Sequence, residues 1–320
     1  MTGDILKYLK DKEYVSGEVL ALKLNISRVA VWKRIQKLKD IGYKIISDQS
    51  LGYCLVSRPD LLLPQEIQKG LSTNYIGQKI YYFHELESTN ITAKEKALSV
   101  KQKTDEGTII IAEKQIGGKG RLGRKWFSPT GGIWLSILLY PQLSPSYIPR
   151  ITLITAVAVV KAIEKSIQIK SQIKWPNDIL INGKKVCGIL TEMSAELDLI
   201  NWVIVGIGLN ANINQEEFPE ELKNESISLK KVLGEEISRV KLVQIFLEEF
   251  EKYYEMLKRK ESILILNEWK MYSHTLGKKI KVNIGEKVIV GKAIDINEKG
   301  ALILKKEDGN LAEIISGTII

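Results

Sequence analysis

The sequence predicts an α/β (α+β) protein with a winged helix-turn-helix in front and a small β-barrel at the end. Three observations carry this expectation. Helical periodicity followed by a hairpin fills residues 1–60, strands alternate with helices through 65–270, and short alternating strands punctuated by glycine occupy 274–320. A chain of 320 residues has room for these cores, and 44% hydrophobic with 27% charged residues is an ordinary globular balance.

Taken in order, Ile5, Leu6, Tyr8 and Leu9 recur at helical spacing. Ser16-Gly17 opens a second short helix carrying Val19, Leu20 and Leu24, and Asn25-Ile26 is the turn. Ser27 is placed to cap a third helix through Lys39, whose inner stripe is Val31, Ile35 and Leu38. Gly42 ends it, and strands near 43–47 and 52–56 flank Asp48-Gln49-Ser50-Leu51. Between Lys23 and Lys44 stand seven basic residues against one acid, Asp40. A recognition helix needs cations for phosphates and Arg or Gln for base edges. Ser27, Arg28, Trp32, Lys33, Arg34, Gln36 and Lys37 are therefore the expected DNA contacts. A small helical domain with a solvated basic face is the competing reading; charge, turn spacing and hairpin together favour DNA.

Arg58-Pro59-Asp60-Leu61-Leu62-Leu63-Pro64 reads as a linker, and a fresh helical pattern begins near Gln65. Strands are expected at 79–83, 107–112, 133–140, 173–181, 185–194 and 199–210, with a tight turn at Asn182-Gly183. Ser88-Thr89-Asn90 opens a helix toward Val100, and further helices span 147–166 and 240–258. Alternation at 278–282, 287–294, 302–305 and 311–315, broken by Gly285, Gly300 and Gly309, gives the terminal barrel.

Some classes are excluded. Cys54 and Cys187 are the two cysteines, without metal-ligand spacing, and two histidines add too little for a zinc site. The N-terminus lacks the apolar core of a signal peptide, and the apolar run 151–163 is too short and interrupted to span a bilayer. A reducing cytoplasm and no membrane partner are expected. The net charge of +9 is compatible with an anionic partner.

The richest stretch is Gly117-Gly118-Lys119-Gly120-Arg121-Leu122-Gly123-Arg124-Lys125-Trp126, with four glycines and four basic residues in ten positions. Successive backbone N–H groups in glycine turns make anion-binding concavities, and Arg grips phosphate or carboxylate through paired hydrogen bonds. Trp126 offers a flat face for a heterocycle. The segment is not a Walker loop, because Arg124 and Lys125 lead into an indole rather than a metal-binding hydroxyl.

Other segments point the same way: Lys174-Trp175-Pro176-Asn177-Asp178 ends one expected strand with a rigid turn, Lys184-Lys185-Val186-Cys187-Gly188-Ile189-Leu190 starts another, and Gly206-Ile207-Gly208-Leu209-Asn210 ends a third. Together with Glu87-Ser88-Thr89-Asn90 and the glycine stretch, these resemble the biotin–protein ligases. With the basic helix-turn-helix in front, the whole chain resembles their bifunctional bacterial form, which is also the biotin operon repressor.

That resemblance implies a class II synthetase-like central domain with a mixed sheet, followed by an SH3-like barrel. It implies a ligase that makes biotinyl-5′-AMP from biotin and ATP, then transfers biotin to a lysine of biotin carboxyl carrier protein. Arg121 and Lys185 would be catalytic, offsetting the repulsion of carboxylate and phosphate, with Lys119 on the same loop. Ser88, Thr89, Asn90 and Gln115 would surround the ureido ring, and Gly118, Gly120, Gly188 and Gly206 would let backbone approach biotin. Arg124, Trp126, Asn177, Asp178 and Asn210 would hold the adenylate. Mg²⁺ would sit mainly on the phosphates, with Asp178 as a protein ligand. Operator DNA and an adenylate-dependent homodimer complete the expectation. Lys119 departs from the pattern, standing where repressor members commonly carry a second Arg and so losing the two-pronged grip. A lipoate–protein ligase and a non-catalytic, ligand-responsive repressor remain the alternatives.

Overall fold

A computed structural model describes residues 3–9, 11–99, 105–196 and 199–320. By contact density the chain forms two compact units, Met1–Leu61 and Leu62–Ile320.

The first unit begins with a 3-10 turn, Gly3–Lys7, rather than the expected α-helix. Strand β1 (Tyr14–Val15) follows, then helices α1 (Gly17–Leu24) and α2 (Arg28–Asp40). Ser16 Oγ accepts from Val19 N–H and Ser27 Oγ from Ala30 N–H, each at 3.2 Å, so both helices start where a hydroxyl satisfies an orphan donor. Strands β2 (Lys44–Asp48) and β3 (Gly52–Ser57) pair antiparallel, and β1, which the sequence did not signal, adds to β3. Asp48 Oδ1 accepts the N–H of Ser50 and Leu51 and shapes the hairpin tip. Val31, Ile35 and Leu38 bury completely, as their spacing requires.

The second unit opens with α3 (Pro64–Gln68), β4 (Ile80–Leu86), α4 (Thr89–Ser99), β5 (Thr108–Gln115), β6 (Ile133–Leu139) and α5 (Ile148–Ile167). Val100, expected to end the α4 helix, lies outside the described residues. The strand expected over 173–181 is a hairpin instead: β7 (Gln172–Lys174) and β8 (Asp178–Ile181) pair antiparallel across a turn containing the cis Trp175–Pro176 peptide. Proline has no N–H for a ladder, which ends β7. Then come β9 (Lys184–Glu196), β10 (Leu199–Leu209), α6 (Glu220–Lys223), α7 (Leu229–Leu233), α8 (Arg239–Lys258) and α9 (Ser262–Met271). Strands β11 (Lys279–Ile284), β12 (Lys287–Ile296), β13 (Leu302–Lys305), β14 (Leu311–Ile314) and β15 (Thr318–Ile319) close the chain.

The central sheet has the order β4-β5-β6-β10-β9-β8-β7, with β4 and β5 parallel and the other neighbours antiparallel. Alternation divides its side chains. Ile109, Ile111, Leu135, Ile137, Val203 and Val205 join the main core with α5 and α8, while Ile110, Leu138, Trp202 and Ile204 pack with Ala93 and Ala97 of α4 on the other face. The helical stretch Pro145–Ile167 is, at 23 residues, long and apolar enough to cross a membrane, contrary to the expectation from 151–163. Its apolarity serves the core: α5 packs against α8 and the sheet.

The final strands form an antiparallel sheet ordered β14-β13-β12-β11-β15. Val282, Ala293, Leu302 and Leu304 belong to the same hydrophobic cluster as the central sheet, so this segment shares its core with the preceding residues. A buried ion pair, Arg239 Nη2 to Glu113 Oε2 at 2.9 Å, adds a polar tie. Glu113 Oε1 accepts Leu62 N–H at 2.7 Å and Arg239 Nη1 donates to Gly132 O at 2.8 Å. Both strands that flank the glycine stretch are thereby anchored.

Candidate functional site

Between the α4 contacts and Trp134, the same face of the central sheet carries a group of small residues. Alternation puts Ser136 of β6, Gly206 and Gly208 of β10 and Gly188 of β9 there, and register makes them neighbours: Gly206 opposes Ser136, and Gly208 opposes Gly188. A cavity of about 890 Å³ opens over this floor. Every ligand residue expected from the sequence lines it except Gly118.

One end is a continuous polar network. Ser88, Thr89 and Asn90 are buried at the start of α4. Thr89 N–H donates to Gln115 Oε1 at 2.8 Å, and Gln115 Nε2 donates to Ser128 Oγ at 2.9 Å. Asn90 Nδ2 donates to Glu192 Oε2 at 2.6 Å, while Ser136 Oγ donates to Asn90 Oδ1 at 2.6 Å. A Cβ at Gly206 would fall 2.2 Å from Asn90 Oδ1, so the approach this glycine permits is that of the Asn90 amide. Ser128, Ser136 and Glu192 were missed in the sequence. The available signal was a lone serine inside the fully buried β6.

The other end is cationic. The glycine stretch closes on itself through a Lys119–Lys125 bridge, with Trp126 N–H donating to Gly118 O at 2.8 Å and Gly120 N–H to Arg124 O at 2.7 Å. Its tip is a short 3-10 turn at Arg121–Gly123. Arg121 Nη1 donates to Asn177 Oδ1 at 3.0 Å and Nη2 to Gly317 O at 3.2 Å, so the terminal sheet contributes to the site. Burial pushes the Arg121 guanidinium below its ordinary value; Asp178 opposes this and Arg124 adds to it. Asn177 Nδ2 donates to Ile189 O at 2.8 Å. Lys185 Nζ lies 2.7 Å from Asp178 Oδ1 and 4.9 Å from the centre of the Trp126 ring.

Trp126 lies across the glycine floor. A Cβ at Gly208 would stand 2.3 Å from its Nε1, and one at Gly188 3.0 Å from its ring edge. Its Nε1 is buried and takes no hydrogen-bond partner among the described residues. Asn210 is buried, with its amide donating to Ile227 O at 3.3 Å. His274, also lining the cavity, is held between Gln172 Oε1 at 3.0 Å and Lys278 Nζ at 2.9 Å. Burial first, then Lys278 and Lys174, hold its pKa below the usual value.

In size and lining the cavity suits a ligand with a polar ring at one end and anionic groups at the other. Among the described residues, no group of three His, Cys, Asp or Glu side chains could hold a metal. Asp178, already facing Lys185, fits a cation carried mainly by ligand phosphates.

In the first unit, Arg28, Trp32, Lys33 and Lys37 are exposed on α2, while Arg34 and Gln36 are half-buried. Ser27 is engaged as the helix cap.

Comparison with known proteins accords with this geometry. Residues 82–210 match the Biotin/lipoate A/B protein ligase family, residues 3–54 an HTH domain and residues 275–320 the Biotin protein ligase C terminal domain. The Bifunctional ligase/repressor BirA of Bacillus subtilis is 41% identical over 93% of this chain and 91% of its own length. The chain belongs to the bifunctional ligase/repressor family. The member from Escherichia coli is 28% identical over 98% of this chain and 95% of its own. The biotin protein ligase of Aquifex aeolicus, solved with biotin and ATP, superposes with a TM-score of 0.66 at 31% identity, covering 76% of this chain and 98% of that one. The three matched families fall on the helix-turn-helix, the central sheet and the terminal sheet respectively.

Proposed function

We propose that the protein is an ATP-dependent biotin–protein ligase that also represses biotin biosynthesis and transport genes. The carrying observation is the two-ended cavity, with the Asn90–Ser136–Gln115 network at one end and Arg121, Lys185 and Trp126 at the other.

Chemistry follows from that layout. The polar network holds the ureido ring, so the carboxylate extends toward the cations. A carboxylate oxygen attacks the α-phosphorus of ATP, a new O–P bond forms, and pyrophosphate leaves. Anion meets anion in this step, and preplaced positive charge lowers its barrier. Arg121 and Lys185 supply it while held by Asn177, Gly317 and Asp178, because a guanidinium and an ammonium carry further N–H donors for phosphate oxygens. Mg²⁺ would offset charge on the phosphates, with Asp178 within reach. Trp126 stacks on adenine and Asn210 faces the adenylate. A lysine Nζ of the carrier protein then attacks the mixed anhydride carbonyl, and AMP departs. Acceptors are the biotin carboxyl carrier protein of acetyl-CoA carboxylase and the equivalent domains of other biotin-dependent carboxylases.

For the first unit, the exposed cations of α2 support operator binding. Biotinyl-5′-AMP is the corepressor: it favours a homodimer that presents two recognition helices to a palindromic site. Sedimentation should show adenylate-dependent dimers; equal dimerisation without it would defeat this part. A reducing cytoplasm suits the free, buried Cys54 and Cys187.

The decisive test of substrate is adenylate formation from MgATP with biotin or lipoate. Biotinyl-AMP should accumulate and lipoyl-AMP should not; the reverse result would replace this reading with a lipoate ligase.

A further inference from the structure

The outward face of α2 is not uniformly polar. Val29 is 64% and Trp32 52% exposed, set among Arg28, Lys33 and Lys37. Residues three apart on a helix are neighbours, so these two side chains form one apolar spot near the start of α2. The inward stripe of Val31, Ile35 and Leu38 is already fully buried. Neither exposed residue is needed for the core.

The surroundings indicate what covers the spot. Among the described residues, Arg28, Lys33 and Lys37 take no hydrogen-bond or ion-pair partner, so the ring of charge around the spot is open to a polyanion. A DNA major groove admits a helix and presents hydrogen-bonding atoms at every base pair. It offers one apolar group, the C5 methyl of thymine. Side chains near the N-terminus of a recognition helix are those that reach base edges.

We propose that Val29 and Trp32 read the thymine methyl in each operator half-site and so set part of the sequence preference. The inference rests on the DNA-binding reading of the first unit. Lys33 and Lys37 engage phosphates, Arg28 and Gln36 supply hydrogen bonds to neighbouring bases, and the apolar pair excludes water from the methyl. Cytosine at that position would bring an N4 donor to the groove edge and lose the apolar contact.

The test uses the full chain with biotin and MgATP. Duplexes are selected from a random pool, and each thymine of the winner is then replaced singly by deoxyuridine, which removes the methyl and leaves pairing intact. At one thymine per half-site the affinity should fall about three- to tenfold. Trp32→Ala and Val29→Ser should each weaken binding to the thymine duplex by a similar factor and abolish the difference between thymine and uracil. Circular dichroism melts of both variants separate lost contact from lost fold. If uracil is tolerated everywhere, or if both variants keep the full discrimination, the inference is overturned while DNA binding stands. If selection enriches no duplex at any salt concentration, the DNA-binding reading itself fails.

Discussion

Two regions of this molecule are rich in cations and hold them in opposite ways. On α2, Arg28, Lys33 and Lys37 stand in solvent without partners among the described residues. In the cavity, Arg121 is braced between Asn177 and Gly317, and Lys185 between Asp178 and the Trp126 ring. Loose charges suit an extended polyanion, whose binding is driven by counterion release. Braced charges suit one anion at one position, where preorganisation rather than net charge lowers a barrier. The same residue types therefore serve different ends, and each can be separated experimentally.

The largest effect is expected at Arg121. Arg121→Ala should slow pyrophosphate release about 100- to 1,000-fold at saturating biotin and ATP, the usual cost of removing one transition-state donor. Arg121→Gly should in addition release the adenylate, so that surface lysines of bystander proteins become biotinylated; retained adenylate with unchanged selectivity would break the assignment. Next comes Lys33→Ala combined with Lys37→Ala. The slope of log K for operator binding against log salt should fall by about 2, one unit for each lost phosphate contact. Weaker binding with an unaltered slope would erase the contrast between the two regions.

A smaller change is expected from Ser136→Ala, which leaves the Asn90 Oδ1 acceptor without its hydroxyl donor. Isothermal titration should show biotin affinity down about fivefold, the equivalent of roughly 1 kcal/mol. The smallest concerns His274, whose folded pKa lies below its ordinary 6.5. The unfolded chain takes this proton first as pH falls, so His274 costs stability increasingly below that value. His274→Asn should flatten the fall in denaturation midpoint between about pH 7 and pH 5; an unchanged profile would remove His274 from that role.

Much of this was legible in the sequence where the signal is local. Ser27 and the Val31, Ile35, Leu38 spacing place α2, and the glycine stretch marks itself by composition. What stayed hidden depends on pairing distant strands. Ser136 becomes a site residue only because β10 sets Gly206 opposite it. Gly317 meets Arg121 only after the terminal sheet folds back. The break of the expected 173–181 strand was half visible: Pro176 marks a turn, but the return of β8 onto β7 needs the neighbouring β9. The α5 helix, expected over 147–166, forms over Ile148–Ile167, because its periodic apolar face is a local signal.

The account is tested most directly by the intact mass of biotin carboxyl carrier protein after incubation with this protein, biotin and MgATP. One biotinyl group should appear on a single lysine with wild-type protein, and its appearance should be slowed strongly with Lys185→Ala. No mass change with wild-type protein, or an equal rate with Lys185→Ala, would contradict the account.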